Sequence, residues 1–376
     1  MRKTADVVII GAGIAGASMA ARLAAAGAGE VVLLEMEDHP GFHTTSRSAA
    51  MWEPSFGPPI FRALTHASGP FLHDPPDGFS PVPLVSTRGV MMCGEHDDGC
   101  DAQEFLDRGF AEMSRAEAAA LVPLLRFDDI AWVLFDAVTK DLDVDALHQG
   151  FLRAAKAGGC TVECRAQVQR AHRNGAWAIE TSAGSISAPV VVIAAGAWSD
   201  EVAALFGAAP VGLQPKRRSA CIIAAPVATD IARWPQIFPA RDDFYCKPTG
   251  GQLLVSPCDA TPVDPHDAYA DDFKLAEGIA AFERLVDCSV NRIERSWGGL
   301  RTFAPDGEPV VGYDPDVEGV FWLAGQGGYG IQSSAALSEV AAALLLRQDI
   351  PPAIAAHGIS AQTISPARFR KNDGIG

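Results

Sequence analysis

Three glycines and an acid near the start of the chain have the spacing of a nucleotide-binding site. Gly11, Gly13 and Gly16 stand as G-x-G-x-x-G, and Glu35 follows about twenty residues further on. In this arrangement the first glycine allows a tight turn, the second lets the backbone approach a pyrophosphate, and the third lets a helix pack closely on a strand. A carboxylate at the position of Glu35 accepts hydrogen bonds from a ribose hydroxyl and repels the 2′-phosphate of NADP.

The elements that must hold these residues can be read from the flanking sequence. A β-branched run over residues 6–10 predicts a strand buried on both faces, and the Ala-rich stretch to about Gly27 predicts a helix. The helix N-terminus offers free N–H groups and a positive dipole end to phosphates. Residues 31–34 predict a second strand that ends at Glu35. The complete βαβ unit predicts a dinucleotide site without separating NAD from FAD.

A second glycine-rich turn lies late in the chain. Residues 320–324 predict a buried strand, the segment 325–330 contains four glycines, and a helix is expected from about Ser333 to Leu346. We expect this turn to contact a cofactor or substrate, with tight packing as the alternative. A further buried strand, within residues 190–198, ends in small residues that permit close approach to a ligand.

The intervening sequence predicts both helices and strands. Helical spacing occurs over residues 114–125 and 144–157, with the Asp143 region as an N-terminal cap. Residues 161–168 and 176–181 are expected to pair as strands around the turn at Asn174 and Gly175. Strand-like alternation continues from about 212 to 297, so we expect two domains.

Composition excludes several classes of protein. The formal net charge of −16 argues against a nucleic-acid partner, because phosphate binding needs a basic surface. The eight cysteines form no CxxC pair and no spacing suited to zinc, so no metal site is expected. No window reaches the roughly 18 consecutive apolar residues that a membrane-spanning helix needs. We therefore expect a cytoplasmic protein without a transmembrane segment.

The motifs resemble those of the D-amino-acid oxidase family of FAD-dependent oxidoreductases, and within it the bacterial D-arginine dehydrogenases. The matching stretches cover almost the whole chain in the same order. They are residues 8–18, His43 with 47–50, 145–150, 194–198, 213–220 and 327–332.

The resemblance implies an α/β fold in which a Rossmann-type FAD-binding domain is interleaved with a substrate domain built on an antiparallel sheet. The FAD-binding domain is expected to comprise residues 1–60, 140–212 and 300–376. The substrate-binding domain is then expected to comprise residues 61–139 and 213–299.

The resemblance also implies which residues contact the cofactor and the substrate. Residues expected to contact FAD are Gly11, Gly13, Ile14, Ala15, Gly16, Glu35, His43, Thr45, Ser46, Arg47, Ser48, Ala49, Ala50, Val168, Ala195, Gly196, Trp198, Arg301, Gly327, Gly328, Tyr329, Gly330, Ile331 and Gln332. Residues expected to act on the substrate are Arg301, Tyr245, Arg218, Gly328 and Gln332.

The expected substrate roles follow the chemistry of these groups. Arg301 and Tyr245 match residues that bind the substrate carboxylate, and an arginine offers a planar fork that fits a carboxylate. Arg218 matches a second pocket arginine, although Lys216 and Arg217 beside it are equally available. Gly328 matches a glycine whose carbonyl accepts from the substrate amine, with Gln332 nearby. The alternative for Arg301 is an ion pair with Asp306 or Glu308.

Departures from the D-arginine pattern alter the expected substrate. Val90 stands where an acid binds the substrate guanidinium, Met51 replaces a histidine, and Phe56 replaces a tyrosine. A buried cation without a partner is costly, so a neutral or hydrophobic side chain is expected instead of arginine. Glu53 is a new acid beside these positions, and it is either an acidic contact from another direction or an exposed loop residue.

The function that the resemblance implies is oxidative deamination of a D-amino acid to the 2-oxo acid and ammonia through an imino acid. Hydride would pass from Cα to flavin N5, with no dedicated base if the amine binds neutral. The alternatives are a secondary-amine oxidase or dehydrogenase acting on sarcosine- or proline-like substrates, an NAD-linked dehydrogenase, and a non-catalytic flavin-binding subunit. The electron acceptor, oxygen or a quinone-type compound, is left open.

Overall fold

The computed structural model describes residues 4–96, 99–226 and 229–370. The strands are β1 Val7–Ile10, β2 Val31–Leu34, β3 Met51–Trp52, β4 Val85–Thr87, β5 Val90–Glu95, β6 Ala111–Glu112, β7 Ile130–Asp136, β8 Lys140–Leu142, β9 Thr161–Glu163, β10 Val168–Asn174, β11 Ala176–Thr181, β12 Gly184–Ala188, β13 Val190–Ile193, β14 Gln214–Ile223, β15 Gln236–Pro239, β16 Tyr245–Thr249, β17 Gln252–Ser256, β18 Thr261–Pro262, β19 Ile293–Phe303, β20 Val310–Tyr313, β21 Val320–Ala324 and β22 Gln326–Gly327. The helices are α1 Ile14–Ala25, α2 Pro59–His73, α3 Ala102–Leu106, α4 Arg115–Leu121, α5 Val144–Ala157, α6 Ser199–Leu205, α7 Asp272–Leu285, α8 Gly330–Leu345, α9 Pro352–Ala355 and α10 Ala361–Ile364.

A six-stranded sheet carries the predicted βαβ unit. Its order is β20-β21-β13-β1-β2-β9, and every neighbouring pair is parallel except β20 with β21. Each residue of β1 and β2 is buried, as expected for strands covered on both faces. One face packs on α1, α5 and α8, and the other packs on the three-stranded sheet β10-β11-β12. The predicted α/β fold class is confirmed.

A ten-stranded sheet forms the second large layer. Its main path is β22-β19-β14-β17-β16-β15-β5-β7-β6, with β18 paired to β14, and all its pairs are antiparallel except β15 with β5. One face buries aliphatic, aromatic and cysteine side chains against α4 and α7. Because successive side chains of a strand point to opposite faces, the other face of the ten-stranded sheet is available to meet the parallel sheet.

The prediction that residues 161–168 form one strand paired with 176–181 is wrong in part. Residues 161–163 form β9 and pair with β2 in the parallel sheet, whereas β10, which begins only at Val168, pairs with β11 across Asn174 and Gly175. Arg165 has a φ of 55° between them, so the chain changes direction there. Alternation alone does not show where one strand run divides between two sheets.

Helix α2 bears on the proposed division into domains. Its buried residues Phe61, Leu64 and Leu72 share one core with α1 and α8. The packing of α2 therefore favours grouping the stretch that follows residue 60 with the parallel sheet. The two-domain division itself stays a proposal.

Candidate functional site

A long cavity opens at the carboxyl ends of the parallel strands, where open α/β sheets bind their ligands. It begins at Gly11, Gly13 and Glu35 and continues to Arg301 and the glycine-rich turn before α8. Predicted cofactor residues that line it are Gly11, Gly13, Ile14, Ala15, Glu35, His43, Thr45, Arg47, Ser48, Ala49, Val168, Ala195, Gly196, Trp198, Arg301, Gly327, Gly328, Gly330 and Ile331. Gly16, Ser46, Ala50, Tyr329 and Gln332, which are also predicted cofactor residues, do not line it.

The first glycine-rich turn is shaped by close backbone approach. Gly11 has a φ of +102°, and a Cβ there would collide with the Ala194 carbonyl of the neighbouring strand. A Cβ on Gly16 would collide with the Gly11 carbonyl, which agrees with the predicted packing role of the third glycine. Gly13 is less confined, since the nearest atom to its added Cβ is Thr45 Oγ1 at 3.1 Å.

Three side chains hold this turn in position. Glu35 is buried and accepts hydrogen bonds from the N–H groups of Ala12 and Glu37, each 3.0 Å long. Thr45 Oγ1 accepts from Ile14 N–H at 3.0 Å, in the first turn of α1. His148 Nε2 donates to the Ala12 carbonyl at 2.9 Å, and burial lowers the pKa of His148. Glu35 and Thr45 are among the residues predicted to contact FAD. His148 lies in the matching stretch 145–150 but has no predicted role of its own.

His43 and Arg47 border the cavity, but protein groups engage their polar atoms. His43 Nε2 lies 2.8 Å from Glu37 Oε1, and its ring centroid lies 4.6 Å from that of Trp198. Arg47 donates to the carbonyls of Ala268 and Gly298 and to Asp267. Direct contact of either side chain with FAD stays a prediction. Both side chains contact other protein groups at the edge of the cavity.

The donor set of the cavity fits an extended dinucleotide. The first turn of α1 faces it with its N–H groups, Glu35 supplies carboxylate oxygens, and small residues at 194–197 leave the wall open. The second glycine-rich turn lines the far end, where Gly325 and Gly327 have φ values of +70° and +54°. A Cβ on Gly327 would also collide with Phe303, so packing and cavity access both favour glycine there.

The predicted substrate residues lie on one face of the ten-stranded sheet. Arg218 on β14 stands opposite Gly299 on β19, and Arg301 is two residues further along β19, so both arginines share a face. Tyr245 on β16 pairs with Ser256, and alternation through β17 brings Tyr245 to that same face. All three residues and Gly328 line the cavity.

Both arginines lack an anionic partner. Within the described part of the chain, Arg218 and Arg301 make no ion pair, and Arg218 Nε is buried without a hydrogen-bond acceptor. Burial, followed by the charge of Arg218, lowers the pKa of Arg301. Asp306, one predicted alternative partner of Arg301, pairs with Arg368 instead, and among the described residues no ion pair joins Arg301 to Glu308, the other. Two buried cations without an anionic partner favour an anion as a ligand.

The residues expected to shape the side-chain pocket lie beyond the cavity lining. Met51 and Val90 are buried, and Phe56 is half-buried against Phe238 and Tyr329. Gln332 accepts a hydrogen bond from Glu53 N–H at 2.9 Å, so in this structure it positions Glu53. Contact of these residues with a substrate stays a prediction.

Several lining residues were missed by the sequence reasoning. They are Met36, Phe42, Thr44, Ala166, Gln167, Glu201, Val202, Leu205, Ala220, Thr302 and Gln326, among others. Most of them flank a motif residue by one to three positions. Their proximity to the strand ends and loops that were identified was the available signal.

The parallel sheet, the glycine-rich loop and the cavity at the strand ends define a dinucleotide-binding protein. The chain matches the family described as FAD dependent oxidoreductase (DAO) over residues 6–344, and it belongs to that family. The cofactor is therefore FAD, which removes the NAD-linked alternative. Among the described residues no helix is long and apolar enough to cross a membrane.

Individual relatives are more distant. Mitochondrial sarcosine dehydrogenase of Mus musculus is 25% identical over 344 residues, which is 85% of this chain and only 37% of that protein. Glycine oxidase of Bacillus licheniformis is 26% identical over 375 residues, covering 92% of this chain and 94% of that protein. The crystal structure of glycine oxidase from Geobacillus kaustophilus has a TM-score of 0.83 at 20% identity, covering 98% of this chain and 100% of that one, which shows the shared fold. The narrower likeness to D-arginine dehydrogenases stays a prediction.

Proposed function

We propose that this protein oxidises the C–N bond of a small amino acid that carries a free carboxylate. The observation that supports this most strongly is the pair formed by Arg218 and Arg301, which share one sheet face beside the cavity without an anionic partner. An unpaired cation in a partly dry site is costly, and a substrate carboxylate would relieve that cost for both residues.

The residues around this pair define how a substrate would be held. The guanidinium of Arg301 offers two parallel N–H donors to one carboxylate, and the Tyr245 hydroxyl can donate to the same group. This anchoring fixes which face of Cα is turned toward the cofactor, so the protein's contribution is orientation. Gly328 would accept from the substrate nitrogen through its carbonyl. FAD, when bound, supplies the oxidising chemistry by accepting a hydride.

The substrate side chain is proposed to be small and neutral. Val90, Met51 and Phe56 are apolar where a cationic side chain would require an acid. A D-amino acid fits this description and would give the 2-oxo acid and ammonia after hydrolysis of the imino acid. A secondary amine such as sarcosine fits it equally, and the name of the mammalian relative favours that second candidate.

Anaerobic mixing of the purified FAD-loaded protein with an amino-acid panel tests the proposal. The panel contains D- and L-alanine, D- and L-valine, D- and L-proline, glycine, sarcosine, N,N-dimethylglycine and, as its cationic member, D-arginine. We expect bleaching of the flavin absorbance by at least one neutral member and little by D-arginine. Bleaching by D-alanine and D-valine favours the first candidate, and bleaching by sarcosine or proline favours the second. No bleaching by any member would favour a non-catalytic flavin-binding subunit.

Reoxidation of the bleached protein then identifies the class of electron acceptor. Air is admitted first, and an artificial quinone-type acceptor is added to a second anaerobic sample. Rapid recovery of absorbance in air indicates an oxidase, whereas recovery with the artificial acceptor alone indicates a dehydrogenase. The cytoplasmic location stays a prediction that this experiment does not address.

A further inference from the structure

Glu53 is an acid of the pocket region whose carboxylate is weakly engaged. It follows β3 and is half-buried, with its N–H fixed by Gln332 Oε1 at 2.9 Å. Its carboxylate has Gln236 Nε2 at 3.5 Å, which is at the outer limit of a hydrogen bond. Among the described residues Glu53 makes no ion pair. The backbone of Glu53 is therefore fixed by a hydrogen bond, while its carboxylate has no strong hydrogen-bond donor.

The neighbouring acids have partners that Glu53 lacks. Asp136 accepts from Ser55, Val138 and Thr139, at 3.0, 2.7 and 2.8 Å. Its two carboxylate oxygens are therefore already engaged. Glu53 is the acid here with capacity to bind an additional donor.

Asp141, the third acid of this region, is also occupied. It pairs with Lys247 at 2.7 Å and with Arg88 at 2.6 Å. Lys247 is buried and its charge is largely compensated by Asp141, so it is a poor partner for Glu53.

The charges that face Glu53 come from several strands. Burial raises the pKa of Glu53 to about 7, and the negative charge of Asp136 adds to this effect. Lys247 on β16 and Arg301 on β19 act in the opposite direction. The charge of Glu53 also raises the pKa of Tyr329, so this acid acts on the turn before α8. A cation beside Glu53 would favour its ionised form.

A series of aromatic rings leads from Phe56, three residues after Glu53, through Phe238 to Tyr245, which lines the cavity. The ring centroid of Phe56 lies 5.9 Å from that of Phe238 and 6.2 Å from that of Tyr329. Phe238 and Tyr245 lie nearly parallel, with centroids 6.4 Å apart. Aromatic faces attract cations, so these rings suit a positively charged group nearby.

We propose that Glu53 is a further catalytic residue, which binds the protonated nitrogen of a substrate whose carboxylate is held by Arg301. Two arginines and one acid complement the two ends of a zwitterion. This inference rests on the proposed function. It replaces the expectation that the amine must arrive already neutral.

Glu53 also takes one proton from that nitrogen before oxidation. An N–H bond of the ammonium breaks, an O–H bond forms on the carboxylate, and the electron pair stays on nitrogen as the neutral amine. The proton stays on Glu53 until it exchanges with solvent. No additional oxidant is required, since this step is a proton transfer.

A matched pair of unreactive ligands tests the binding half of the proposal. Glycine betaine carries a carboxylate and a permanent cation, and 3,3-dimethylbutanoate is its neutral isostere. Binding to the FAD-loaded protein is followed by the flavin absorbance at pH 6 and pH 8. We expect the ratio of the two affinities to rise about tenfold toward betaine over this range, because Glu53 ionises near pH 7.

The variant Glu53→Gln should abolish this change with pH while binding 3,3-dimethylbutanoate as before. Glu308→Gln is the matched control, since burial also raises the pKa of Glu308 but it lies outside this cluster. A betaine preference that is independent of pH, or that survives E53Q, overturns the role of Glu53. Failure of both ligands to bind would count against the carboxylate site of the proposed function itself.

The pH dependence of anaerobic flavin reduction tests the proton transfer. With whichever panel member bleaches the flavin, the second-order rate of reduction at low substrate concentration reports ionisation of the free protein. In the wild type this rate should rise with an inflection near pH 7. In E53Q the inflection should move up toward the pKa of the free amine, and E308Q should resemble the wild type. An unchanged inflection in E53Q would show that the amine loses its proton without Glu53.

Discussion

At the scale of single residues, the structure decides between three neighbouring cations that the sequence could not rank. Arg217 points to the opposite sheet face and pairs with Asp271, whereas Lys216 lies over the Phe303 ring. Arg218 is left for the cavity. The sequence shows three basic residues in a row. Strand register turns Arg217 to the other face, and the contact of Lys216 with Phe303 separates it from Arg218, which lines the cavity.

Replacing either cavity arginine by lysine should weaken carboxylate binding. Lysine keeps the charge but loses the bidentate fork, so we expect Arg301→Lys to raise the Kd of 3,3-dimethylbutanoate about 10- to 100-fold. Arg218→Lys should have a smaller effect in the same direction. The measurement is a flavin-absorbance titration at constant pH.

Arg217→Lys provides the control for this prediction. It changes the same strand and the same residue type on the opposite face, where Asp271 is the partner. We expect a Kd within about twofold of the wild type, since no cavity contact changes. Equal weakening by R217K and R301K would mean that the effect is structural and not local to the carboxylate site.

His148 should make the stability of the fold sensitive to acid. Burial lowers its pKa in the folded state, so the unfolded chain binds a proton more readily as the pH falls below about 6.5. The contribution of neutral His148 is therefore present above that pH and lost below it. We expect His148→Gln, which can still donate to Ala12, to show a smaller loss of unfolding free energy between pH 7 and pH 5.

Urea unfolding curves of both proteins across this pH range provide the measurement. A single proton changes the unfolding free energy by at most about 1.4 kcal/mol per pH unit. The slopes of unfolding free energy against pH should therefore differ between the two proteins by less than that amount. Parallel pH dependences in wild type and H148Q would exclude His148 as a source of the acid sensitivity.

At the scale of elements, periodicity and glycine spacing predicted the βαβ unit because each depends on local sequence. Strand β2 ends where expected, and the side chain of Asp143 caps α5 by accepting from Ala146 N–H. The division of residues 161–168 between two sheets was missed, because partner choice depends on distant strands. The packing of α2 on α8 was also beyond a local pattern.

The two glycine positions of the first turn should separate packing from cofactor binding. Gly16→Ala places a methyl group against the Gly11 carbonyl, so we expect the cofactor-free protein to lose about 1–3 kcal/mol of stability. Gly13→Ala has more space, at 3.1 Å from Thr45 Oγ1, and should change that stability little. It should nevertheless weaken FAD binding at least about tenfold if the pyrophosphate passes over Gly13.

Thermal unfolding without FAD and fluorescence titration with FAD distinguish the two variants. The expected pattern is a clearly lower Tm for G16A and a raised Kd for FAD in G13A with a nearly unchanged Tm. Normal FAD affinity in G13A would contradict the predicted close approach at that position.

At the scale of the whole molecule, the candidate site is where two sheets of different kinds meet. The carboxyl ends of β1, β2, β13 and β21 form one wall of the cavity, and the free face of β14 and β19 forms the other. Motifs were sufficient to locate the first wall. The surroundings of Glu53 were not predictable, since Asp136, Gln236 and Lys247 come from strands that are distant from Glu53 in sequence.

Removal of FAD should therefore loosen the contact between the sheets while leaving each core intact. We expect faster hydrogen exchange in the cofactor-free protein over residues 42–49, 299–302 and 325–331, which line the cavity. Readdition of FAD at 100 times its Kd should restore protection and add about 2.7 kcal/mol of stability. Mass spectrometry of exchanged peptides provides the measurement.

Strand β17 and helix α7 supply the internal control, because Leu253, Val255 and Phe282 pack in the core of the ten-stranded sheet, away from the cavity. Their protection should change little when FAD is removed. If these two elements lost protection as much as the cavity segments, FAD would be required for the folding of the whole chain. If no segment changed, the two walls would be held by direct protein contacts, such as those of Arg47 with Gly298 and Ala268. That contrast identifies whether the cofactor or the protein holds the substrate residues opposite the strand ends.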